Sequence, residues 1–187
     1  MIVPQLPYML FRDTEGVETG ILFAMKSRIV FSRQSDEWST PPDFFAKLHQ
    51  IHHFTLDAAA SFQNSKLTNY FGLDHVLADH RDALAVLNWA YFGKSIWCNP
   101  PYSLGAKFIA KAVEATTMGA TVVMLLPART DTKWYQTYVW DTVRECFRPG
   151  VHVNFVKGRL KFGGSKAGAP FPSIVVTFSP VQKGTHE

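Results

Sequence analysis

Residues 95–102 of the chain read Ser-Ile-Trp-Cys-Asn-Pro-Pro-Tyr, so a mostly apolar run is interrupted by two consecutive prolines. Proline lacks the N–H that a central strand needs, and Ser95–Cys98 is therefore predicted as a buried strand that stops at Asn99. Thr121–Leu126 is a continuous apolar run rich in β-branched residues, which is typical of a strand covered on both faces. Helical spacing over residues 108–113 lies between these two runs. Strands that alternate with helices indicate an α/β fold with a mostly parallel sheet.

Further elements continue this pattern towards both ends of the chain. The predicted segments are strands at Ile21–Met25 and Arg28–Phe31, a helix that starts at Thr40-Pro41-Pro42-Asp43 with Thr40 as its cap, a strand at Phe54–Asp57, a helix over Val76–Leu87, a helix capped by Asp131, and late strands at Val151–Val156, Arg159–Phe162 and Ile174–Phe178. In sheets with parallel strands, ligands bind beyond the carboxyl ends of the strands. Asp57 and Asn99 both lie at predicted strand ends, so both are candidate site residues.

Composition limits the chain to one globular domain of ordinary size. With 187 residues, 47% of them hydrophobic and 14% aromatic, it is too apolar for a disordered tail and too short for two well-cored domains. Its two cysteines exclude a disulfide scaffold and a four-cysteine zinc site. Without an apolar stretch of about 18 residues or a recognisable signal peptide, a cytoplasmic protein with no membrane span is expected. The net charge of +4 permits a nucleic-acid partner without establishing one.

The tetrapeptide Asn99-Pro100-Pro101-Tyr102 is the segment that indicates chemistry. Its prolines fix their own φ angles, favour extended geometry in the residue before each of them, and supply no N–H. The side-chain oxygen of Asn99 and the carbonyl of Pro100 therefore form two acceptors suited to a planar amino group. Tyr102 adds an aromatic face on which a planar base can stack. The motif predicts a pocket for a flat heterocycle or an amide with an exocyclic NH₂, with an ordinary structural turn as the alternative interpretation.

Several stretches in fixed order resemble the phage-type DNA N6-adenine methyltransferase family. They are Asp-Glu-Trp-Ser-Thr-Pro-Pro at 36–42, Leu-Asp-Ala-Ala-Ala at 56–60, Trp-Cys-Asn-Pro-Pro-Tyr-Ser at 97–103, Leu-Leu-Pro-Ala-Arg-Thr-Asp-Thr at 125–132, Gly-Arg-Leu-Lys-Phe at 158–162 and Ala-Pro-Phe-Pro-Ser at 169–173. The similarity runs from Asp36 to about Phe178. Asn-Pro-Pro-Tyr alone also occurs in enzymes that methylate glutamine or RNA bases, so the ordered set carries the resemblance.

The resemblance implies a Rossmann-like methyltransferase domain at 36–180, with a mostly parallel sheet and a late antiparallel hairpin. Residues 1–35 are then an N-terminal extension and 181–187 a tail. S-adenosylmethionine (AdoMet) is the implied methyl donor and double-stranded DNA the implied partner, in the host cytoplasm if the protein is phage encoded. The target adenine is flipped out of the duplex, because its amino group is inaccessible in a stacked helix.

The implied catalytic residues are those of the tetrapeptide. Asn99 and the Pro100 carbonyl accept hydrogen bonds from the adenine amino group, Pro101 keeps the segment rigid, and Tyr102 stacks on the extruded base. Holding the nucleophile, methyl group and sulfur in line then supplies much of the rate gain. A covalent intermediate is not required.

Cofactor residues are also implied by the resemblance. Trp38, Thr40 and Pro41 are placed against the methionine and methyl end of AdoMet. Asp57 binds the methionine ammonium, directly or through water. The small pair Ala58-Ala59, where many methyltransferases have a glycine-rich loop, allows close approach of the backbone.

One position departs from the family pattern. Where the family commonly has Asp-Trp before the Asn-Pro-Pro-Tyr strand, this chain has Asn88-Trp89. Asn88 is assigned to the adenine amino group of the cofactor, and Asn99 also contacts the cofactor. The assignment of Asp74, Asp79 and Asp82 stays open.

Spaced cations indicate a DNA-binding surface. The candidate phosphate-binding residues are Arg129, Lys133, Lys157, Arg159, Lys161 and Lys166. The last four flank Gly158, Gly163, Gly164 and Gly168, which suits close approach to a phosphate backbone, although a solvated hairpin is the alternative. Residues 1–187 leave no room for a large separate recognition domain.

Other functions are weighed against this interpretation. They are methylation of a protein glutamine or an RNA base, and a DNA-binding relative that has lost catalysis. His49, His52 and His53 are expected at the surface rather than in a metal site, and no metal is predicted. Cys98 is expected to be a small buried hydrophobe. The oligomeric state is left open.

Overall fold

The computed structural model describes residues 38–165 and 167–181, and these form a five-stranded sheet with helices on both faces. The strands of the described part, in chain order, are β1 (Leu56–Asp57), β2 (Ser95–Cys98), β3 (Thr121–Pro127), β4 (Trp140–Asp141), β5 (Cys146–Phe147), β6 (Val151–Phe155) and β7 (Ser173–Phe178). The main sheet has the order β1-β2-β3-β7-β6, and β4 pairs with β5 in a separate two-stranded sheet. The predicted α/β class is confirmed.

The main sheet is mixed. β1 with β2 and β2 with β3 are parallel, whereas β3 with β7 and β7 with β6 are antiparallel. The late antiparallel hairpin implied by the resemblance is not formed by neighbouring segments: β6 pairs antiparallel with β7, with Val153 opposite Val176, and residues 156–172 lie between the two strands. The three parallel strands therefore bring their carboxyl ends to one edge of the sheet, where Asp57 and Asn99 lie.

Three α-helices pack on this sheet. They are α1 (Pro42–His52), α2 (Gly105–Thr116) and α3 (Lys133–Tyr138). The predicted helix starts are correct to within a few residues, but Thr40 and Asp131 are not the caps: Pro41 and Thr132 precede the helices, and neither makes a side-chain capping bond. None of the helices in the described part is long and apolar enough to cross a membrane.

Successive side chains of each strand point to opposite faces of the sheet, and this alternation creates two hydrophobic cores. On one face, Trp97, Val123 and Leu125 pack with Phe45 of α1, Phe54 of the loop after it, Phe162 and Ala169 of the segment before β7, and Val175 of β7. On the other face, Ile96, Cys98 and Met124 pack with residues of α2, α3 and the turn before β2: Phe108, Ile109, Ala112, Tyr135 and Trp89. β3 is buried from its second residue onward, as predicted for a strand covered on both faces.

Three predicted elements differ in the structure. Val76–Leu87 is not an α-helix: it contains only a short 3₁₀ turn at Ala78–His80, and Val76 and Leu87 are 84% and 75% exposed. Local bonds hold this segment instead, such as the one that Leu84 N–H donates to Asp82 Oδ1 at 2.9 Å, and bonds of this kind compete with helix formation.

Arg159–Phe162 is not a strand either. It lies in an irregular segment that ends in a turn at Phe162–Gly164, where Gly163 and Gly164 have φ angles of 57° and 75°. Positive φ is incompatible with a continuing strand, and glycine is the residue that adopts it readily. β1 is shorter than predicted, covering Leu56–Asp57 of the expected Phe54–Asp57. The strands predicted at Ile21–Met25 and Arg28–Phe31 lie outside the described residues.

Candidate active site

Asn99 follows β2 at the edge where the parallel strands end. Pro100 is buried, and Pro101 has extended backbone with φ −54° and ψ 123°. The two prolines cannot donate to a strand ladder, so the chain leaves the sheet here and enters the 3₁₀ turn Tyr102–Leu104. That turn leads directly into α2, so the tetrapeptide lies between a buried strand and a helix with one buried face.

The carboxamide of Asn99 is held by a segment that is distant in sequence. Its Nδ2 donates to the main-chain carbonyl of Trp38 at 2.5 Å and contacts Oγ1 of Thr40 at 3.0 Å. A carbonyl oxygen only accepts, so the nitrogen of the amide must face Trp38. This contact determines which way the side chain points, and it turns Oδ1 away from the Trp38–Thr40 segment.

Oδ1 of Asn99 is buried and accepts no hydrogen bond from the residues that the structure describes. Leaving a buried acceptor unbonded costs about 1–3 kcal/mol. Such an atom calls for an explanation, and at the carboxyl end of β2 a ligand that completes the bonding is the one that fits. The site therefore presents a fixed acceptor of the kind that an amino group recognises.

Aromatic rings surround Asn99 and the segment Trp38–Thr40, which we call the acceptor segment. Trp38 makes edge-to-face contacts with Phe162 at 5.4 Å and Phe171 at 5.2 Å between ring centroids, and Tyr102 meets Phe171 edge-on at 5.3 Å and 79°. We call Trp38, Tyr102, Phe162 and Phe171 the aromatic cluster. It brings the predicted residues Trp38, Thr40, Asn99 and Tyr102 into one neighbourhood, with Pro41 as the residue that precedes α1.

Phe162 and Phe171 were not assigned a role from the sequence. Both belong to stretches that carry the family resemblance, and Phe171 stands between two prolines. An aromatic residue held in a rigid Pro-Phe-Pro segment is a signal that the sequence contains. What the sequence does not contain is the contact with Tyr102, which depends on how β7 pairs with β3.

Asp57 is 2% exposed at the end of β1. Its Oδ1 accepts from Ala59 N–H at 3.4 Å and its Oδ2 from Lys66 N–H at 3.0 Å. Burial raises the pKa of the carboxyl to about 7, although the two N–H groups and the charge of Lys66 oppose that shift. Ala58 is buried and donates its N–H to the Trp97 carbonyl at 2.8 Å, so the loop after β1 stays close to the sheet.

Asn88 is 5% exposed and bonds within the chain on both sides of its carboxamide. Oδ1 accepts from Ala90 N–H at 2.9 Å, and Nδ2 donates to the Glu114 carbonyl of α2 at 3.1 Å. This arrangement starts the 3₁₀ turn Trp89–Tyr91 and ties it to the helix. The contact of Asn88 with a cofactor stays a prediction.

Three other acids near this region bond locally. Asp74 Oδ2 accepts from Phe62 N–H at 2.8 Å, and Asp79 Oδ1 lies 2.9 Å from Nδ1 of His80. Asp82 Oδ1 accepts from Leu84 N–H. Each of these carboxylates organises its own loop.

The candidate DNA-binding cations are exposed wherever the structure describes them. These residues are Arg129, Lys133, Lys157, Arg159 and Lys161, whereas Lys166 lies outside the described residues. The segment 157–164 is attached to the acceptor segment: Gly163 N–H donates to the Ser39 carbonyl at 2.9 Å, and Phe162 packs on Trp38. Arg129 and Lys133 lie after β3 and at the start of α3.

Two further side-chain predictions concern Cys98 in β2 and the three histidines at the end of α1. Of the histidines expected at the surface, His53 is exposed, whereas His49 and His52 are half-buried and stack on Phe45 and Phe54. Cys98 is buried, as predicted, and burial raises the pKa of its thiol well above the ordinary value. A neutral buried thiol is a poor nucleophile. In the part of the chain that the structure describes, no three His, Cys, Asp or Glu side chains form a group able to hold a metal ion.

The chain is similar to known proteins along most of its length. The family model described as DNA N-6-adenine-methyltransferase (Dam) matches residues 26–186. A DNA N-6-adenine-methyltransferase of Escherichia phage T1 is 33% identical over 101 residues, which are 54% of this chain and 39% of that protein. A DNA N-6-adenine-methyltransferase of Haemophilus phage HP1 (strain HP1c1) is 27% identical over 154 residues, which are 78% of this chain and 79% of that protein.

Proposed function

The chain belongs to the DNA N-6-adenine-methyltransferase (Dam) family, and we propose that it transfers a methyl group from AdoMet to the N6 amino group of adenine in double-stranded DNA. The observation that carries the proposal is the buried, unbonded Oδ1 of Asn99. An adenine amino group has N–H donors in the plane of the ring, and this oxygen is a fixed acceptor for one of them. The phage relatives support the choice of adenine in DNA as substrate.

Asn99 acts on the amino group by accepting a hydrogen bond from it. Together with the Pro100 carbonyl, Oδ1 draws the N–H groups into one geometry and makes the nitrogen lone pair available for attack. The ring of Tyr102 stacks on the base, which is flipped out of the duplex because the amino group is otherwise inaccessible. Positioning accounts for most of the acceleration in this scheme, since no side chain is required to form a covalent bond.

AdoMet would supply a methyl group activated by a sulfonium: the bond from N6 to the methyl carbon forms as the sulfur–carbon bond breaks, the sulfur leaves as a neutral thioether, and N6 releases one proton to solvent. The described residues fit such a ligand at the carboxyl ends of β1 and β2. The Asp57 carboxylate is buried and its pKa is raised, so an ammonium group beside it stabilises its charged form. Ala58 and Ala59 present little side-chain bulk next to it. Trp38 and Thr40 contact Asn99, and Pro41 follows Thr40 in the chain. Within residues 36–180, the sheet serves as a Rossmann-like AdoMet-binding core.

DNA is held by the exposed cations on two segments. Residues 157–161 and 129–133 carry exposed positive side chains, on loops and at the first residue of α3, which suits contact with phosphates rather than with base edges. The attachment of residue Gly163 to Ser39 places the first of these segments next to the acceptor segment. If the protein is phage encoded, as its named relatives are, the substrate duplex is met in the cytoplasm of the host cell.

A glutamine side chain or an RNA base also carries an NH₂ group that Asn99 could recognise. The decisive experiment incubates purified protein and labelled AdoMet with duplex DNA, RNA and a protein mixture in parallel. We expect label only in DNA, recovered as N6-methyladenine by mass spectrometry. Duplexes in which 2-aminopurine replaces adenine lack the 6-amino group and should accept no label.

Two results would reject the proposal. Label confined to RNA or protein would assign the pocket to another amino group. DNA binding without any transfer would identify the chain as a relative that has lost catalysis. Asn99→Ala is the matched control, because it removes the acceptor and leaves the cations intact.

A further inference from the structure

The acceptor segment, Trp38–Thr40, contacts Asn99 through two atoms, the Trp38 carbonyl oxygen and the Thr40 hydroxyl oxygen. We infer that Thr40 is a positioning residue, which fixes the carboxamide plane of Asn99 so that Oδ1 faces the amino group to be methylated. The expected effect of Thr40 on methyl transfer rests on the proposed function. Its effect on the orientation of the Asn99 side chain rests on the geometry alone.

The Thr40 side chain is committed to Asn99 rather than to α1. It is 3% exposed, and its Oγ1 lies 3.0 Å from Asn99 Nδ2. Pro41, not Thr40, precedes the helix, and α1 has no side-chain capping bond. The hydroxyl is therefore not needed to cap the helix, although the sequence Thr-Pro-Pro-Asp predicts that use.

Asparagine needs a second anchor at this position. The χ2 torsion of an asparagine is broad, so a single bond to Trp38 leaves the amide plane free to rotate about that contact. A second acceptor on the other N–H removes this freedom. Because both N–H groups of Nδ2 then donate, electron density shifts towards Oδ1, and hydrogen-bond chains of this kind strengthen the terminal acceptor.

Thr40 is itself restrained by its neighbours. Its β-branched side chain has few χ1 choices, and Pro41 pushes the Thr40 backbone into extended geometry. One residue earlier, the Ser39 carbonyl accepts from Gly163 N–H at 2.9 Å. The Thr40 hydroxyl is thus held in place by the residue before it and by the residue after it. A group that positions another side chain needs to be restrained in this way.

The first test compares Thr40→Val, which keeps the shape and removes the acceptor, with Thr40→Ser, which keeps the hydroxyl. With saturating AdoMet and duplex DNA, Thr40→Val should lower the single-turnover rate about tenfold, while Thr40→Ser retains most of it. The dissociation constant for AdoMet should change less than about twofold, in contrast to a direct cofactor contact. Thr116→Val is the matched control: its hydroxyl donates to the Val113 carbonyl within α2, and its rate should equal that of the wild type.

A double-mutant cycle with Asn99→Ala gives the second readout. Once Asn99 is gone, Thr40→Val should cause no further loss, because its effect is transmitted through that side chain. An undiminished rate in Thr40→Val, an equal loss in Thr40→Ser, or a loss that appears only as weaker AdoMet binding would overturn the inference.

The third readout does not depend on activity. In NMR spectra, the side-chain amide protons of Asn99, identified by their absence in Asn99→Ala, should exchange slowly in the wild type and faster in Thr40→Val. Equal exchange in the two proteins would refute the positioning role. If the wild type transfers no methyl group to DNA, the proposed function fails, whereas this measurement still decides whether Thr40 holds Asn99.

Discussion

The main-chain carbonyl of Trp38 accepts a hydrogen bond from Nδ2 of Asn99, although 61 residues separate them along the chain. This contact distinguishes asparagine from aspartate at position 99. A carboxylate has the same shape but offers only acceptors when it is ionised, so it would face the Trp38 carbonyl oxygen without a proton between them.

Asn99→Asp should therefore be impaired in a pH-dependent way. The neutral acid can donate to Trp38 and the carboxylate cannot, so the contact raises the pKa of the new carboxyl. We expect methyl transfer to fall at least about tenfold near neutral pH and to recover partly as the pH is lowered. The measurement is a pH–rate profile of wild type and variant. Parallel profiles for the two proteins would contradict this view of the Trp38 contact.

The ring of Tyr102 should matter more than its hydroxyl. Tyr102 meets Phe171 edge-on, and a base stacked on the ring gains about 1–3 kcal/mol per base. Tyr102→Ala should lower turnover and base binding by roughly 10- to 100-fold, whereas Tyr102→Phe should be much milder. Fluorescence of 2-aminopurine at the target position reports the extrusion of the base. Similar losses in both variants would exclude stacking as the role of this residue.

Asp57 should make stability depend on pH. Burial raises the pKa of its carboxyl from 3.8 to about 7, so the folded state holds the proton more tightly than the unfolded chain. The stability that this group contributes is complete at pH values below the pKa of the carboxyl in the unfolded chain. It is lost as the pH rises through about 7, the pKa in the folded state. The shift corresponds to roughly 4 kcal/mol.

Asp57→Asn removes that dependence. The measurement is urea unfolding of both proteins at several pH values. Relative to the variant, the wild type should lose free energy of unfolding as the pH rises from about 4 to 7. Asp43→Asn, at an exposed position of α1, is the control and should not change the profile. A constant difference between wild type and Asp57→Asn across this range would show that the carboxyl is not protonated in the fold.

The two central strands β2 and β3 could be predicted from the sequence, because the signals that locate them are properties of single residues. Apolar runs that end at prolines located β2, and β-branched residues located β3, since both signals are local. The meeting of Asp57 and Asn99 at one edge followed from the parallel order of the strands. Val76–Leu87 was misread because apolar spacing carries no information on whether a face is buried.

The bonding inside the site was beyond the sequence for a different reason. Thr40 followed by Pro41 is a valid helix start, and local chemistry favours that use of the hydroxyl. Its actual partner is Asn99, which is 59 residues away. The Tyr102 contact with Phe171 likewise depends on the antiparallel pairing of β7 with β3. Long-range pairing of this kind is set by the whole sheet.

Lys161 offers the sharpest test of the DNA-binding surface. It is exposed, and the next residue, Phe162, is buried against Trp38, so the charge is held close to the acceptor segment. A lysine that neutralises one phosphate releases about one counterion, and its loss should weaken binding to all duplexes alike and reduce the salt slope by about 0.9. Lys161→Ala should show this in binding isotherms at several salt concentrations. Lys47→Ala, at an exposed position of α1, should leave the slope unchanged, and a slope unaltered by Lys161→Ala would remove this residue from the interface.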